Sequence, residues 1–342
     1  MKKVIFFGPL LLAIASCSNE FDVAAPWKDI PVVYAILSPQ DTANYVRVEK
    51  AFLDPTTDAT KIAQIPDSLY YDDSQISVFL ERKADGQRVQ LTRVDGNLEG
   101  YIRDSGVFAQ QPNWLYKYKP TGAPFVQEGK SYRFILERSD ELPTVTAETG
   151  MPGAFTFVSP NPFDPKLTFN ASVSPRVQWR TDVNGVLFSV QLVIRYRETT
   201  NAGVFVGRDT LYWDAVPSVR RTDINNNGSF QGETSLSNTG FFNFLVNNIP
   251  AMGDRLRYFE RFDIVLTGGG AEIEELQETI SANTGIVGAE SLPLYSNVSE
   301  GFGLFTGRNT SLFKNIQVTD ETVNYMNSPE ADQAVRNLNF RK

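Results

Sequence analysis

A regular alternation of apolar and polar side chains constrains the fold of this chain more than any other feature. Apolar residues occupy every second position from Phe188 to Tyr196, and polar residues such as Gln191 and Arg195 lie between them. Successive side chains of a β-strand point to opposite faces of a sheet, whereas a helix repeats about every 3.6 residues. The segment is therefore predicted to be a strand with one buried and one exposed face.

The same alternation recurs elsewhere, at residues 45–50, 76–81 and 262–266, and Asp85-Gly86 supplies a turn after the second of these segments. Helical spacing is confined to short segments. We therefore predict an all-β protein of two sandwich-like domains, similar to immunoglobulin or fibronectin type III domains, with two or three short helices.

Two further segments refine this prediction. Gly129-Lys130-Ser131-Tyr132 resembles the corner of an immunoglobulin-like sandwich, in which a tyrosine hydroxyl ties a loop to the following strand. A proline-rich stretch follows residue 150, and proline favours extended connections. We place the N-terminal domain at residues 27–150 and the C-terminal domain, with insertions, at residues 151–342.

The N-terminal residues predict export and lipid attachment. Lys2 and Lys3 precede an apolar run, and the small pair Ala15-Ser16 stands before Cys17, the only cysteine of the 342-residue chain. We predict that residues 1–16 are a lipoprotein signal peptide, that Cys17 carries a lipid that attaches the protein to the outer membrane, and that residues 17–26 form a tether. Whether the protein faces the periplasm or the cell surface is left open.

Composition excludes several functional classes. The chain contains no histidine, which excludes Ser-His-Asp and Cys-His catalysis and histidine-ligated zinc within it. Removal of residues 1–16 would change 32 basic and 40 acidic side chains to 30 and 40, which is a net charge of −10. Such a chain should repel nucleic acid. No cofactor is expected.

A polar segment at residues 223–228 resembles the start of a calcium-binding loop, because oxygen-bearing side chains alternate before a glycine. The twelfth position of that loop is Thr234, and the nearest acid, Glu233, falls one position early. The bidentate carboxylate is therefore missing. We interpret the segment as a polar turn, predict no metal site, and keep calcium binding as the alternative.

Aromatic and acidic clusters are the remaining candidates for a site. Tyr70-Tyr71 and five further aromatic residues could stack on sugar rings or contact a partner, and their alternative role is packing in a sandwich core. Acidic residues could act in pairs, as in glycoside hydrolysis, or simply solvate a surface. The five aromatic candidates are Trp114, Tyr116, Tyr118, Tyr212 and Trp213. The acidic candidates are Asp72, Asp73, Glu272, Glu274, Glu275 and Glu278.

The segment from Pro293 to Phe305, Pro-Leu-Tyr-Ser-Asn-Val-Ser-Glu-Gly-Phe-Gly-Leu-Phe, resembles a C-terminal signature of Bacteroidota outer-membrane lipoproteins of a domain-of-unknown-function family. This chain has Glu300 where that signature more often has glycine. We expect the segment to close the second domain, with Phe302, Leu304 and Phe305 in its core.

Such lipoproteins are often encoded beside TonB-dependent transporters, and the resemblance brings no catalytic residues. It implies a non-enzymatic binding or accessory component of an outer-membrane transporter complex. A carboxylate-dependent glycan hydrolase and a structural or adhesive surface protein remain the alternatives. The ligand, the partner protein and the oligomeric state are left open.

Overall fold

The computed structural model describes residues 29–51, 58–139, 141–221, 230–283 and 295–342. The signal peptide, Cys17, the tether and residues 223–228 lie outside the described residues, so those predictions are not tested. Within the described ranges, no helix is long and apolar enough to cross a lipid bilayer.

The described residues form short strands and helices together with four long strands. The strands are β1 (Pro31–Leu37), β2 (Asn44–Lys50), β3 (Ser77–Arg82), β4 (Gln87–Gln90), β5 (Thr92–Asp95), β6 (Trp114–Tyr118), β7 (Ser131–Glu137), β8 (Val145–Gly150), β9 (Thr156–Ser159), β10 (Lys166–Leu167), β11 (Arg176–Thr181), β12 (Leu187–Thr200), β13 (Phe205–Arg220), β14 (Phe230–Ser235), β15 (Arg255–Gly269), β16 (Phe302–Val318) and β17 (Phe340–Arg341). The helices are α1 (Ala59–Ile62), α2 (Pro66–Leu69), α3 (Asn238–Asn248), α4 (Ala271–Asn283), α5 (Asp320–Met326) and α6 (Gln333–Arg336).

The chain is an all-β protein with sandwich-like packing of sheets, which confirms the predicted fold class. Six helices occur in the described part, more than the two or three expected. Three of them, α1, α2 and α6, are only four residues long. Such single turns are too short to leave a helical period in the sequence.

One sheet of ten strands runs through the whole molecule. Its main path is β13-β12-β15-β16-β1-β2-β6-β5, and β10 and β17 pair with it off this path. Strand β16 joins the two halves, because residues 302–307 pair in parallel with β1 and residues 308–316 pair antiparallel with β15. A four-stranded sheet (β4-β3-β7-β8) and a three-stranded sheet (β14-β11-β9) complete the architecture.

Two large hydrophobic clusters lie between these sheets. The first draws on residues 33–151 together with Val298 and Phe305, and packs the four-stranded sheet against β1, β2 and β6. The second draws on residues 155–340 and packs the three-stranded sheet and α3 against β12 and β15. The domain boundary near Gly150 stays a prediction. Val298 and Phe305 pack into the first cluster, so the expectation that the segment ending at Phe305 closes the second domain is wrong.

Two local predictions match the structure. In β12 the alternating residues Phe188 to Tyr196 are buried in the second cluster, while Arg195 and Arg197 are partly exposed on the opposite face. The hydroxyl of Tyr132 donates to the carbonyl of Phe125 at 2.8 Å and accepts the backbone N–H of Gln127 at 2.8 Å. This is the tyrosine corner that the sequence predicts.

In the segment from Ser296 to Phe305, residues 302–305 pair with β1, and Val298 and Ser299 contact β8. Asn297 fixes the segment, because its side chain accepts the N–H of Phe305 at 2.9 Å and donates to the carbonyl of the same residue at 2.7 Å. Phe305 is fully buried and Leu304 is buried, but Phe302 is half-exposed, so the expectation that Phe302 enters the core is wrong. Phe302 is the first residue of a strand whose alternation turns Phe305 inward.

Backbone geometry explains the glycines of this segment. Gly303 has a φ of +128°, and a Cβ at that position would collide with the backbone of Val33 on β1. Glu300 has a φ of +54°, in the left-handed region that favours glycine. The glycine expected at position 300 is therefore a conformational preference of the turn.

Candidate functional site

The five aromatic candidates occupy two distant strands. Trp114, Tyr116 and Tyr118 lie on β6, and Tyr212 and Trp213 lie on β13. Five strands of the large sheet separate β6 from β13. At about 4.8 Å per strand, the two groups are roughly 29 Å apart, so they do not form one site.

Three of the five residues have packing roles. Tyr116 is buried and its hydroxyl donates to Asp73 Oδ1 at 3.2 Å. Tyr118 packs against the first hydrophobic cluster, with its ring 5.6 Å from that of Phe125. Trp213 is buried in the second cluster. Tyr116 and Trp213 are therefore core residues, and Tyr118 packs against the core.

Tyr212 is exposed, with 63% of its surface accessible, on the edge strand of the sheet. Its cross-strand neighbour on β12 is Val193. Tyr212 lines none of the four best-formed cavities in the described part of the chain. Ligand-binding sites are usually concave, so one exposed ring on an open sheet is weak evidence for a binding site.

Trp114 lines a cleft, and Tyr70 and Tyr71, which the sequence also nominates, line the same cleft from a different segment. Its volume is about 820 Å³, within the range of ligand-binding cavities. The lining residues are Lys50, Pro66, Asp67, Tyr70, Tyr71, Asp72, Gln75, Arg93, Pro112 and Trp114. We call this cavity the Trp114 cleft.

Short elements position these aromatic rings. Helix α2 begins with Pro66, which is compatible with the first turn of a helix, and ends at Leu69. Tyr70 then packs with Leu69 and Ala109 in a small third cluster, and Trp114 lies against that cluster. The cleft is thus lined by rings that are held in place by apolar packing.

Arg93 on β5 lies over the ring of Trp114. Its guanidinium carbon is 4.4 Å from the centroid of the Trp114 ring, and its Nη1 donates to the carbonyl of Tyr71 at 3.3 Å. The Nε atom is buried without a hydrogen-bond partner. A buried donor of this kind costs free energy unless an acceptor reaches it.

Lys50 and Tyr71 also line the cleft. The Lys50 ammonium is 5.9 Å from the centroid of the Tyr71 ring. The Tyr71 hydroxyl donates to Asp29 Oδ1, and burial together with the Asp29 carboxylate raises the pKa of Tyr71 well above its usual value. Tyr71 therefore stays protonated at neutral pH. Sequence reasoning missed Lys50 and Arg93, because nothing in their local sequence shows that β2 and β5 bring them to one cavity.

Carboxylates of the cleft are exposed. Asp67 and Asp72 lie at its rim. Asp72 accepts the backbone N–H of Ser74 at 3.0 Å and its hydroxyl at 2.8 Å, and these hydrogen bonds lower the pKa of Asp72. Asp72 is therefore ionised at neutral pH.

The acidic candidates of α4 have other partners. Glu274 and Glu278 form ion pairs with Arg220 at the end of β13. Glu272 is partly buried and accepts hydrogen bonds from Thr149 at 3.2 Å and Thr306 at 3.0 Å. Burial raises the pKa of Glu272. These contacts do not join the α4 carboxylates to Asp72 or Asp73, and the described residues contain no group of three His, Cys, Asp or Glu side chains that could hold a metal ion.

Comparison with known proteins gives no functional assignment: no protein-family model matches the chain, and no curated protein matches it.

Proposed function

We propose that this protein is a lipid-anchored, non-enzymatic binding protein of the outer membrane and an accessory component of a TonB-dependent transporter complex. The sequence around Cys17 supports the anchor, and the resemblance of the segment ending at Phe305 supports the transporter. The Trp114 cleft is the proposed binding site. The observation that carries this assignment is the convergence of Trp114, Tyr70 and Tyr71 on one cavity with Arg93.

The chemistry of the cleft favours binding over hydrolysis. A glycoside hydrolase needs one carboxyl group that is protonated at working pH, and a raised pKa supplies it. At the rim of the cleft, Asp72 has a lowered pKa instead. Glu272, a carboxyl group whose pKa is raised, belongs to α4 and hydrogen-bonds Thr149 and Thr306. Rings, cations and ionised carboxylates suit reversible recognition of a polar ligand.

The anchor is tested by replacing Cys17 with alanine. Labelled palmitate should enter the wild-type protein and not the Cys17→Ala variant, and the variant should be released from the outer membrane. Equal incorporation of label into both proteins would exclude lipid attachment at Cys17.

The binding site is tested by site-specific photocrosslinking in native membranes. The chain has one cysteine, Cys17, so a second cysteine at the exposed rim residue Asp67 can carry a photocrosslinker. The matched control is Phe163→Cys, since Phe163 is exposed and does not line the cleft. We expect an outer-membrane transporter to crosslink from position 67 and not from position 163. Recovery of no outer-membrane partner from position 67 would contradict the proposal.

A further inference from the structure

A loop beside the Trp114 cleft displays apolar side chains to solvent. Residues 96–111, which we call the apolar loop, connect β5 to β6. Leu98 is 89% exposed and Ile102 is 77% exposed, and three more large apolar residues of the loop are also exposed: Tyr101, Val107 and Phe108. Soluble monomers rarely display so much apolar surface in one place without a partner.

Hydrogen bonds hold the apolar loop in one conformation. The N–H of Gly96 donates to the carbonyl of Asn113 at 2.7 Å, and the N–H of Tyr101 donates to the carbonyl of Gly96 at 2.8 Å. The Asn113 side chain donates to the carbonyl of Tyr101 at 2.7 Å. The N–H of Ala109 donates to the carbonyl of Ala63 at 2.8 Å. The exposed side chains are therefore presented by a fixed backbone.

Two consecutive tyrosines connect the apolar loop to the start of the described chain. Arg103 of the loop donates to the hydroxyl of Tyr70 at 2.8 Å. The next residue, Tyr71, donates to Asp29, which also pairs with Arg138 at 3.1 Å. Arg103 of the loop and Asp29 thus contact neighbouring residues of one short segment, Tyr70 and Tyr71.

Covalent geometry limits the distance between Asp29 and a lipid on Cys17. Cys17 precedes Asp29 by twelve residues. A chain spans at most about 3.3–3.6 Å per residue, so a lipid on Cys17 lies within roughly 40 Å of Asp29. A membrane that holds a lipid on Cys17 is therefore within reach of the apolar loop.

We propose that the apolar loop docks on the interface of a lipid bilayer and so holds the Trp114 cleft at the membrane surface. This proposal rests on the lipid anchor of the proposed function. The loop also carries the acidic residues Glu99 and Asp104, so the attraction comes from burial of apolar side chains and not from charge. Binding should accordingly need no anionic lipid and should be insensitive to salt.

The test uses the mature chain with Cys17→Ala, so that no lipid contributes, and vesicles of phosphatidylcholine. We expect the protein to sediment with the vesicles at low and high salt. Leu98→Ser with Ile102→Ser should lower the partition coefficient by about tenfold or more, since two large apolar side chains are removed from the interface. The matched control, Val204→Ser with Phe205→Ser, removes exposed apolar side chains from another part of the surface and should bind as the parent does.

Each outcome bears on one proposal. Failure of the parent protein to bind vesicles, or equal losses in loop and control variants, would overturn membrane docking. The loop would be a protein interface if the parent did not bind vesicles and the loop variant lost transporter crosslinking. That result would also overturn membrane docking. Palmitate labelling of the wild-type protein tests the anchor independently, so a failed anchor and a failed docking surface are distinguishable. Circular dichroism should show the same fold in all variants.

Discussion

At one end of the ten-stranded sheet, Trp114 lies partly exposed beneath Arg93, whereas at the other end Trp213 is buried beside Phe241 and Phe244. Both tryptophans lie next to an apolar or aromatic neighbour in a strand of the same sheet. Helix α3 supplies the two phenylalanines that cover Trp213. The residues that pack over a ring, and not its strand pattern, decide whether it faces a cleft or a core.

The edges of the sheet differ in the same way. Strand β5 ends the sheet beside the cleft with four residues, and the apolar loop follows it. Strand β13 ends the sheet on the other side with sixteen residues, and it carries charged residues and Pro217, which protect an edge from pairing with another chain. The short edge strand β5 leaves room for a cavity, whereas the long edge strand β13 is protected from pairing with another chain.

Phe305→Ala should have the largest effect, because β16 connects the two ends. Phe305 is fully buried in the first cluster, and its ring lies 6.0 Å from that of Phe134. Its truncation should cost about 4–5 kcal/mol of unfolding free energy. Urea denaturation measures the loss, and Phe302→Ala, at a half-exposed neighbour, should cost much less. An unchanged stability with lost partner binding would instead make this segment an interface.

Trp213→Ala should come next, at about 3–4 kcal/mol, because it leaves a cavity against Phe241 and Phe244. Crosslinking from position 67 should be retained in this variant. Thermal denaturation compared with Trp213→Phe, which keeps an aromatic ring, separates the cavity from loss of aromatic character. A loss below about 1 kcal/mol would show that the core at this end is not as closely packed as its contacts indicate.

Trp114→Ala should cost only about 1–2 kcal/mol, since the ring is partly exposed and loses mainly its contact with Arg93. Crosslinking from position 67 should nevertheless fall strongly. Trp114→Phe, which keeps a ring for Arg93, should recover part of it. If Trp114→Ala were as destabilising as Trp213→Ala and left crosslinking intact, the two ends of the sheet would not differ in function.

Sequence patterns predicted those elements in which the burial of a side chain depends only on residues nearby in the sequence. The alternation in β12 and the corner at Tyr132 are examples, because a buried face or a hydroxyl bond to a nearby loop is encoded within a few residues. The tryptophans are the opposite case. Trp213 is covered by Phe241, and Trp114 by Arg93, and no local period reveals either contact.

Long-range pairing also escaped sequence reasoning. The parallel pairing of Val33 with Gly303 joins residues from the two ends of the chain. That pairing depends on the close approach allowed by Gly303, which the sequence shows only as one glycine among several. The cleft likewise combines Lys50 of β2 with Arg93 of β5, two strands that β6 separates in the sheet. Tertiary contact, and not local propensity, creates such sites.

The smallest expected effect lies at the junction between the two ends, at Glu272. Burial raises the pKa of this carboxyl group above its usual value, so the folded protein binds the proton more tightly than the unfolded chain does. Its favourable contribution is present in acid and is lost as pH rises through the folded pKa.

Glu272→Gln removes the buried charge while keeping an acceptor for Thr149 and Thr306. Its unfolding free energy near pH 7 should therefore exceed that of the wild type by about 1 kcal/mol, and the gain should shrink towards about pH 4. Urea denaturation at both pH values measures it, and Glu274→Gln, which breaks an ion pair with Arg220, should show no gain. A Glu272→Gln protein that is less stable at both pH values would show that the ionised carboxylate, at the first turn of α4, stabilises the junction.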